Sequence, residues 1–348
     1  MKKMSVAIVG TGGFADYHLS RWLKVEGVKV EAVIGRDQQK TAGLAEKYGI
    51  GKFYTDFSAF QKEILHVDIL DVVTVPSTHI DIALKLMGSF SGVLIEKPLD
   101  VDLEKALSFF NTVKEKKVAV GVVSQMKFGK AYHFLKGLIG GGELGEMINF
   151  TIQLSNMRKA DYYSVNDGWR DNIDMSGGGI MTSQVIHRLN FVMGIVGYTV
   201  EEVFAFKGLS RYARNVEESV SAIFSLKGRF TGLLHATSLS SVVSDYLLFE
   251  GTHGIALSDF RSCRICKGGK RFSPDTVMSE FPEGNISHGE TFEDHLLNQM
   301  TEFAENVRNG GGFLLNLREA INDMIIIQSL YESMARKCSV KIENMIYE

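Results

Sequence analysis

Two side chains in this 348-residue chain are placed to handle a proton beside a ligand: Lys97, within Glu96-Lys97-Pro98, and His187. Lys97 directly follows the apolar run Gly92 to Ile95. If that run is a parallel strand, Lys97 stands at its carboxyl end, where the ligand crevices of open α/β sheets form. Proline disfavours helical backbone in the residue before it, so Lys97 is held extended. Work as a general acid or base requires its pKa to fall from about 10.4, by burial or nearby positive charge. In isolation the tripeptide reads first as a strand-end ion pair, and His187 as a satisfied core histidine.

A second constellation suits phosphate. Gly10-Thr11-Gly12-Gly13-Phe14-Ala15 directly follows the apolar run Ser5 to Val9 and fits G-x-G-x-x-A. The first glycine permits a tight turn, the second lets backbone approach a pyrophosphate, and the small last residue lets a helix pack on the strand. The helix end then presents free N–H groups to the phosphates. The next strand ends Ala32-Val33-Ile34-Gly35-Arg36-Asp37. The position where an acid would bind the ribose 2′-hydroxyl of NAD is Gly35, and the Arg36 guanidinium suits a 2′-phosphate, which favours NADP(H) over NAD(H). Asp37 then suits a helix N-cap. A register shifted by two makes Asp37 the ribose acid and favours NAD.

The elements that would position these groups alternate. Val28–Ile34, Ile69–Val75, Gly92–Ile95 and Val118–Val123 read as further buried strands, with helices between them, which implies a parallel sheet covered on both faces. In Asp102–Lys116 the apolar residues Leu103, Ala106, Leu107, Phe110 and Val113 share one helical face. Beyond about Val123 the pattern changes. Met147–Leu154, Val203–Phe206, Ser219–Leu226, Phe230–Thr237 and Tyr246–Phe249 read as successive strands of a mostly antiparallel sheet. Two helices close the chain. One carries Phe292, Leu296, Met300, Phe303 and Val307; the other runs from about Leu317 to Met334. The expected organisation is a dinucleotide-binding α/β domain over residues 1–123 and an α+β domain over 124–348, with the helix at about 317–336 free to pack back on the first.

Composition narrows the class. Apolar residues make up 45% and charged residues 23%, with net charge −3, so no global field attracts nucleic acid or an anionic membrane. No stretch reaches the roughly 20 apolar residues of a membrane span. Two N-terminal lysines before an apolar run resemble a signal peptide, but the run breaks at Gly10. Three cysteines imply no disulfide framework. The expected location is cytoplasmic. Cys263-Arg264-Ile265-Cys266 lacks a second ligand pair and reads as two strand cysteines, not as metal ligands. The basic segment Arg261–Arg271 lacks interleaved aromatics and reads as a solvated face. Met181 and Met193 read as helix core.

Taken together in order and spacing, Gly10–Ala15, Glu96-Lys97-Pro98, and Ser176-Gly177-Gly178-Gly179 followed by His187 resemble the Gfo/Idh/MocA oxidoreductases, the glucose–fructose oxidoreductase and inositol dehydrogenase family. Val75–His79 matches that family's nicotinamide-side loop and Gly142–Glu146 its domain-joining turn. Trp169-Arg170 and the late helix with Gln299 and Phe303 also fit, so the resemblance covers nearly the whole chain. It implies a Rossmann domain, an open-sheet C-terminal domain, and Lys97 and His187 as acid/base or substrate-orienting groups. The implied cofactor residues are Gly10, Thr11, Gly12, Gly13, Phe14, Ala15, Gly35, Arg36, Pro76, Ser77, His79, Glu96 and Lys97. The implied substrate residues are Lys97, Gln125, Tyr163, Trp169, Arg170, Ser183, Gln184 and His187. Arg170 suits a phosphate or carboxylate and Trp169 the apolar face of a sugar. Where the family has aspartates after its glycines, this chain has Ser183 and Asn190, so His187, or Tyr162 or Tyr163, is expected to carry more of the proton transfer. The reading is an NADP(H)-favouring enzyme that moves a hydride at a secondary alcohol or ketone carbon of a sugar, cyclitol or sugar nucleotide, as a homodimer or homotetramer. An NAD-dependent inositol or sugar dehydrogenase and a non-catalytic sensor of dinucleotide or sugar are the alternatives.

Overall fold

A computed structural model describes residues 3–63, 67–268, 286–287, 290–312, 315–343 and 345–346. The chain divides into two compact units, Met1–Gln125 with Glu293–Ile321, and Met126–Phe292 with Asn322–Glu348. A single cut after Val123 does not describe them, because residues 293–321 return to the first.

The first unit is built on strands β1 (Met4–Val9), β2 (Val28–Ile34), β3 (Phe53–Tyr54), β4 (Ile69–Val72), β5 (Gly92–Ile95) and β6 (Ala119–Val122). They pair in the order β3-β2-β1-β4-β5-β6, all parallel. This is the doubly wound order, with its crevice at the switch between β1 and β4. Helices α1 (Gly13–Trp22), α2 (Gln38–Lys47), α3 (Phe57–Glu63), α4 (His79–Leu86) and α5 (Leu103–Lys116) make the crossovers. Asp37 caps α2, accepting the Lys40 N–H at 2.9 Å, and Asp102 caps α5, accepting that of Lys105 at 3.1 Å. On α5 the buried residues are Ala106, Phe109, Phe110 and Val113. Leu107 is exposed and Phe109 takes its place inside, because the buried stripe is narrower than the sequence pattern.

The second unit is a sheet with helices on one face. Its strands are β7 (Met147–Met157), β8 (Val200–Lys207), β9 (Ser219–Leu226), β10 (Thr231–Thr237), β11 (Leu239–Gly251), β12 (Gly254–Ser258), β13 (Ser262–Lys267), β14 (Ile286–Ser287) and β15 (Val340–Lys341). Their order is β14-β13-β12-β11-β7-β10-β9-β8-β15, antiparallel except for β7 with β10. Its helices are α6 (Lys130–Gly140), α7 (Ala160–Ser164), α8 (Ile173–Ser176) and α9 (Ile186–Val196). Helix α10 (Phe292–Arg308) buries Leu296, Met300, Phe303 and Ala304 in the core of the first unit. Helix α11 (Leu317–Arg336) contributes Ile326, Ile327 and Leu330 to the core of the second. Alternation is clean on β9, where Val220, Ala222, Phe224 and Leu226 point inward. Cys263 and Cys266 lie on β13, and Met181 and Met193 are buried in the helical layer. Of the basic segment, residues 269–271 lie outside the described residues. No helix among the described residues is long and apolar enough to cross a membrane.

Candidate active site

The carboxyl edge of the six-stranded sheet gathers the residues expected to hold a dinucleotide. Gly10 leaves β1 with φ 134°, and a Cβ there would lie 2.0 Å from the Val73 carbonyl oxygen at the end of β4. No other residue fits that approach. Gly12 is the N-cap of α1 and offers no side-chain cap, and a Cβ at Gly12 or Gly13 would meet nothing within 4 Å. Uncapped N–H groups at a helix end beside open space suit a pyrophosphate. Ala15 is buried against the sheet and Phe14 is exposed. Thr11 packs at Gly35, where a Cβ would lie 2.4 Å from Thr11 Cγ2 and 2.7 Å from Thr41 Oγ1. A side chain at 35 would therefore require Thr11 and Thr41 to give way. Asp37 is the α2 cap, and Arg36 is exposed with no ion-pair partner among the described residues.

The loop after β4 carries Pro76, buried, and Ser77, half-buried, in one turn of 3₁₀-helix. His79 departs from its expected role. Its ring is buried, with Nδ1 2.9 Å from the Pro98 carbonyl and Nε2 3.1 Å from that of Thr74. Burial pushes its pKa below the ordinary value, so it is neutral and one N–H serves one of the two carbonyls. Its work is to tie the β4 loop to the β5 loop, and the ring is not open to a cofactor.

Glu96 also turns inward. Its Oε2 accepts the Lys97 N–H at 2.8 Å, and its Oε1 lies 3.0 Å from His18 Nε2. The other ring nitrogen of His18 is 2.9 Å from Asp71 Oδ2, which also accepts the Trp22 indole N–H at 2.7 Å. An imidazole with a carboxylate at each nitrogen donates to both only as the cation. Burial alone would depress its pKa, but Asp71 and Glu96 raise it to about 10. Burial would raise the Glu96 carboxyl, and the bond from His18 holds it below its usual value. Two buried carboxylates and one buried cation thus fix the strand end from which the half-buried Lys97 emerges. Gln125, in the turn after β6, has its Oε1 buried with no hydrogen-bond partner.

The remaining expected residues belong to the second unit. Ser183 and Gln184 lie in a π-helical turn, Met181–Val185, which leads into α9 and the half-buried His187. Such turns widen a helix by a residue and often mark sites. The Ser183 hydroxyl donates to the Gly179 carbonyl at 2.6 Å. Gln184 is buried, its Oε1 accepting from Asn156 Nδ2 at 2.5 Å, so its side chain holds structure rather than facing a substrate. The glycine loop is shaped by Glu217, whose buried carboxylate accepts the N–H groups of Gly179 (2.9 Å) and Met181 (2.9 Å). A Cβ at Gly179 would sit 1.9 Å from the Glu217 carbonyl oxygen. Asn190 points into the interior and donates to Asp323 Oδ2 at 2.7 Å. Asp323, on α11, also accepts the Tyr198 hydroxyl at 3.0 Å. Tyr163 is buried with its hydroxyl 3.0 Å from Ser238 Oγ, and burial pushes its pKa up. Trp169 and Arg170 are half-buried beside Tyr162.

The comparisons with known proteins agree with this geometry. Residues 4–124 match the oxidoreductase family model GFO_IDH_MocA, an NAD-binding Rossmann fold, and residues 132–257 match the GFO/IDH/MocA C-terminal domain. The chain belongs to the Gfo/Idh/MocA oxidoreductase family. It is similar to Oxidoreductase P35 of Formosa agariphila, with 22% identity over 76% of this chain and 81% of that protein. It is also similar to Myo-inositol 2-dehydrogenase of Thermotoga maritima, with 20% identity over 99% and 100%. A solved levoglucosan dehydrogenase, in complex with NADH and L-sorbose, shares the fold, with a TM-score of 0.85 at 16% identity over 99% of this chain and 100% of that one. The protein is accordingly an NAD-binding, NAD(P)-dependent oxidoreductase.

Reasoning from sequence missed His18, Asp71 and Glu217. Asp71 was findable, since a carboxylate inside an otherwise apolar strand needs a buried partner.

Proposed function

We propose that this oxidoreductase transfers a hydride between NADP(H) and a secondary alcohol or ketone carbon of a sugar, cyclitol or sugar nucleotide. One observation carries the reading. The uncapped helix end after β1 and Lys97 after β5 stand at the same edge of one parallel sheet. A bound nicotinamide supplies or accepts the hydride. Lys97 and His187 orient the carbinol oxygen and move its proton. Gly12 and Gly13 leave room for the pyrophosphate, and Ser183, Trp169 and Arg170 contact the substrate. The inositol 2-dehydrogenase relative supports a cyclitol or sugar as the substrate class.

The crowding at Gly35, beside an unpaired Arg36, supports NADP(H). Fluorescence titration with NADPH and NADH tests it. NADPH is expected to bind more tightly, and Arg36→Ala to weaken NADPH by about tenfold while leaving NADH within about twofold. A stronger response to NADH would transfer the ribose contact to Asp37 and the reaction to NAD.

A homo-oligomer is supported by the outer face of the second unit's sheet. Phe204, Ile223, Leu233, Thr151 and Leu248 pair in one row across five strands. Phe206, Ile223 and Leu233 are exposed by 58%, 51% and 43%. A contiguous apolar face of this kind marks an interface. The double variant Ile223→Lys/Leu233→Lys is expected to sediment as a monomer with the wild-type fold. A wild-type monomer would end the assignment.

A further inference from the structure

Tyr162, on α7, carries two cations on its ring. The guanidinium carbon of Arg158 lies 5.0 Å from the ring centroid and that of Arg170 4.8 Å. The two charges are thus no farther apart than those distances laid end to end. Neither arginine has an ion-pair partner among the described residues. Two neighbouring carboxylates, those of Asp171 and Glu218, are turned to backbone. Asp171 Oδ1 accepts the N–H groups of Arg214 and Asn215, each at 2.9 Å, and Glu218 Oε2 accepts that of Tyr212 at 2.7 Å. Two like charges gathered on one ring repel, and an anion between them would relieve that repulsion.

The pair is held in place. The Arg158 N–H donates to the Ser238 carbonyl at 2.8 Å, and Arg170 also lies 4.6 Å from the Trp169 ring. The three residues before Trp169 hold a left-handed backbone, with φ 53° at Asn166, 63° at Asp167 and 68° at Gly168. Val216 packs with Tyr163 and Ala213 under Tyr162. The next residue, Glu217, caps the loop that leads to His187. Adjacent residues therefore brace the arginine pair and the His187 helix.

We propose that Arg158 and Arg170 form a subsite for an anionic group of the substrate, a carboxylate or a phosphate. The preferred sugar or cyclitol is then an acid or a phosphate ester rather than a neutral polyol. The planar guanidinium fork matches both groups, and stacking on Tyr162 orients it in advance. This inference rests on the dehydrogenase reading above, and its test separates the two.

NADPH and NADH affinities are measured first by fluorescence. Calorimetry then follows glucose, glucuronate and glucose 6-phosphate binding to the protein saturated with the tighter-binding of the two. At least one anion is expected to bind about tenfold more tightly than glucose, and which one does so identifies the group. Arg158→Ala and Arg170→Ala are each expected to remove most of that advantage while leaving cofactor affinity within about twofold, and Arg158→Ala to leave glucose affinity within about twofold as well. In the wild type the advantage should shrink as ionic strength rises, a check that needs no variant. Normal cofactor binding with no preference for either anion overturns the subsite alone. So does a preference that survives both substitutions or ignores salt. Failure of the wild type to bind either NADPH or NADH overturns the dehydrogenase reading itself.

Discussion

Lys97→Ala is expected to lower kcat by about 10³, with NADH affinity changed by no more than about twofold. The loss corresponds to about 4 kcal/mol of transition-state stabilisation. Lys97 leaves β5 half-buried, between Glu96, which binds its backbone N–H, and Pro98. Glu96 is engaged with His18, so the proposed proton transfer at this strand end is assigned to the Lys97 amine. Lys97→Arg separates two roles. Arginine keeps the positive charge and does not deprotonate near neutrality. If Lys97 transfers the proton, Lys97→Arg is as slow as Lys97→Ala; if it only orients the substrate oxygen, Lys97→Arg retains substantial turnover. Single-turnover absorbance of the nicotinamide, with a substrate that the wild type accepts, reads both. Turnover undiminished in Lys97→Ala would remove Lys97 from the reaction.

His18→Leu is expected to destabilise the fold by about 3–5 kcal/mol, because it leaves the buried carboxylates of Asp71 and Glu96 without their shared cation. The sign of the pH dependence follows from the shifts. His18 has a folded pKa raised to about 10 from 6.5, so its contribution is full below about pH 6.5. It declines as pH rises and is lost once pH passes about 10. Glu96 is held below 4.5, so its contribution is full above that value and is lost as pH falls below it. The network therefore supports the fold most between about pH 4.5 and 6.5. Urea midpoints across pH should fall from 6.5 toward 10 in the wild type, and this slope should flatten in His18→Gln. A midpoint unaffected by either substitution would mean that the network contributes nothing to stability.

Much of this was legible in residue order. The strand, glycine turn and helix of Gly10–Ala15, the N-cap at Asp37 and the alternating strands of the second sheet appear where their periods and turn residues put them. Local rules suffice for them, since each depends on neighbours in the chain. The site was less legible wherever a side chain answers to a partner far away in sequence. His79 suggested a cofactor contact, yet it is consumed by carbonyls at Thr74 and Pro98. Asn190 suggested a lost carboxylate, and its amide is bonded to a carboxylate, that of Asp323, 133 residues on. Gln184 and Tyr163 suggested ligand contacts and are instead buried on Asn156 and Ser238. The return of residues 293–321 to the first unit carries no local signal, because the apolar stripe of α10 does not specify which core it fills.

The parallel pair inside the second sheet constrains how that sheet can assemble. Strands β8, β9 and β10 form one meander of antiparallel neighbours, and β11, β12 and β13 form another. The two meanders join only through β7, which lies between β10 and β11. Hairpins close short loops, whereas the pairing of Asn149 with Thr231 spans 82 residues. Each meander can zip up locally, and the sheet becomes one body only when β7 slots between them. During synthesis β7 emerges before β8 and β9, and its own partners, β10 and β11, follow only after them. The nascent chain therefore carries an unpaired eleven-residue strand until β10 and β11 have been made, the interval in which a chaperone would matter most.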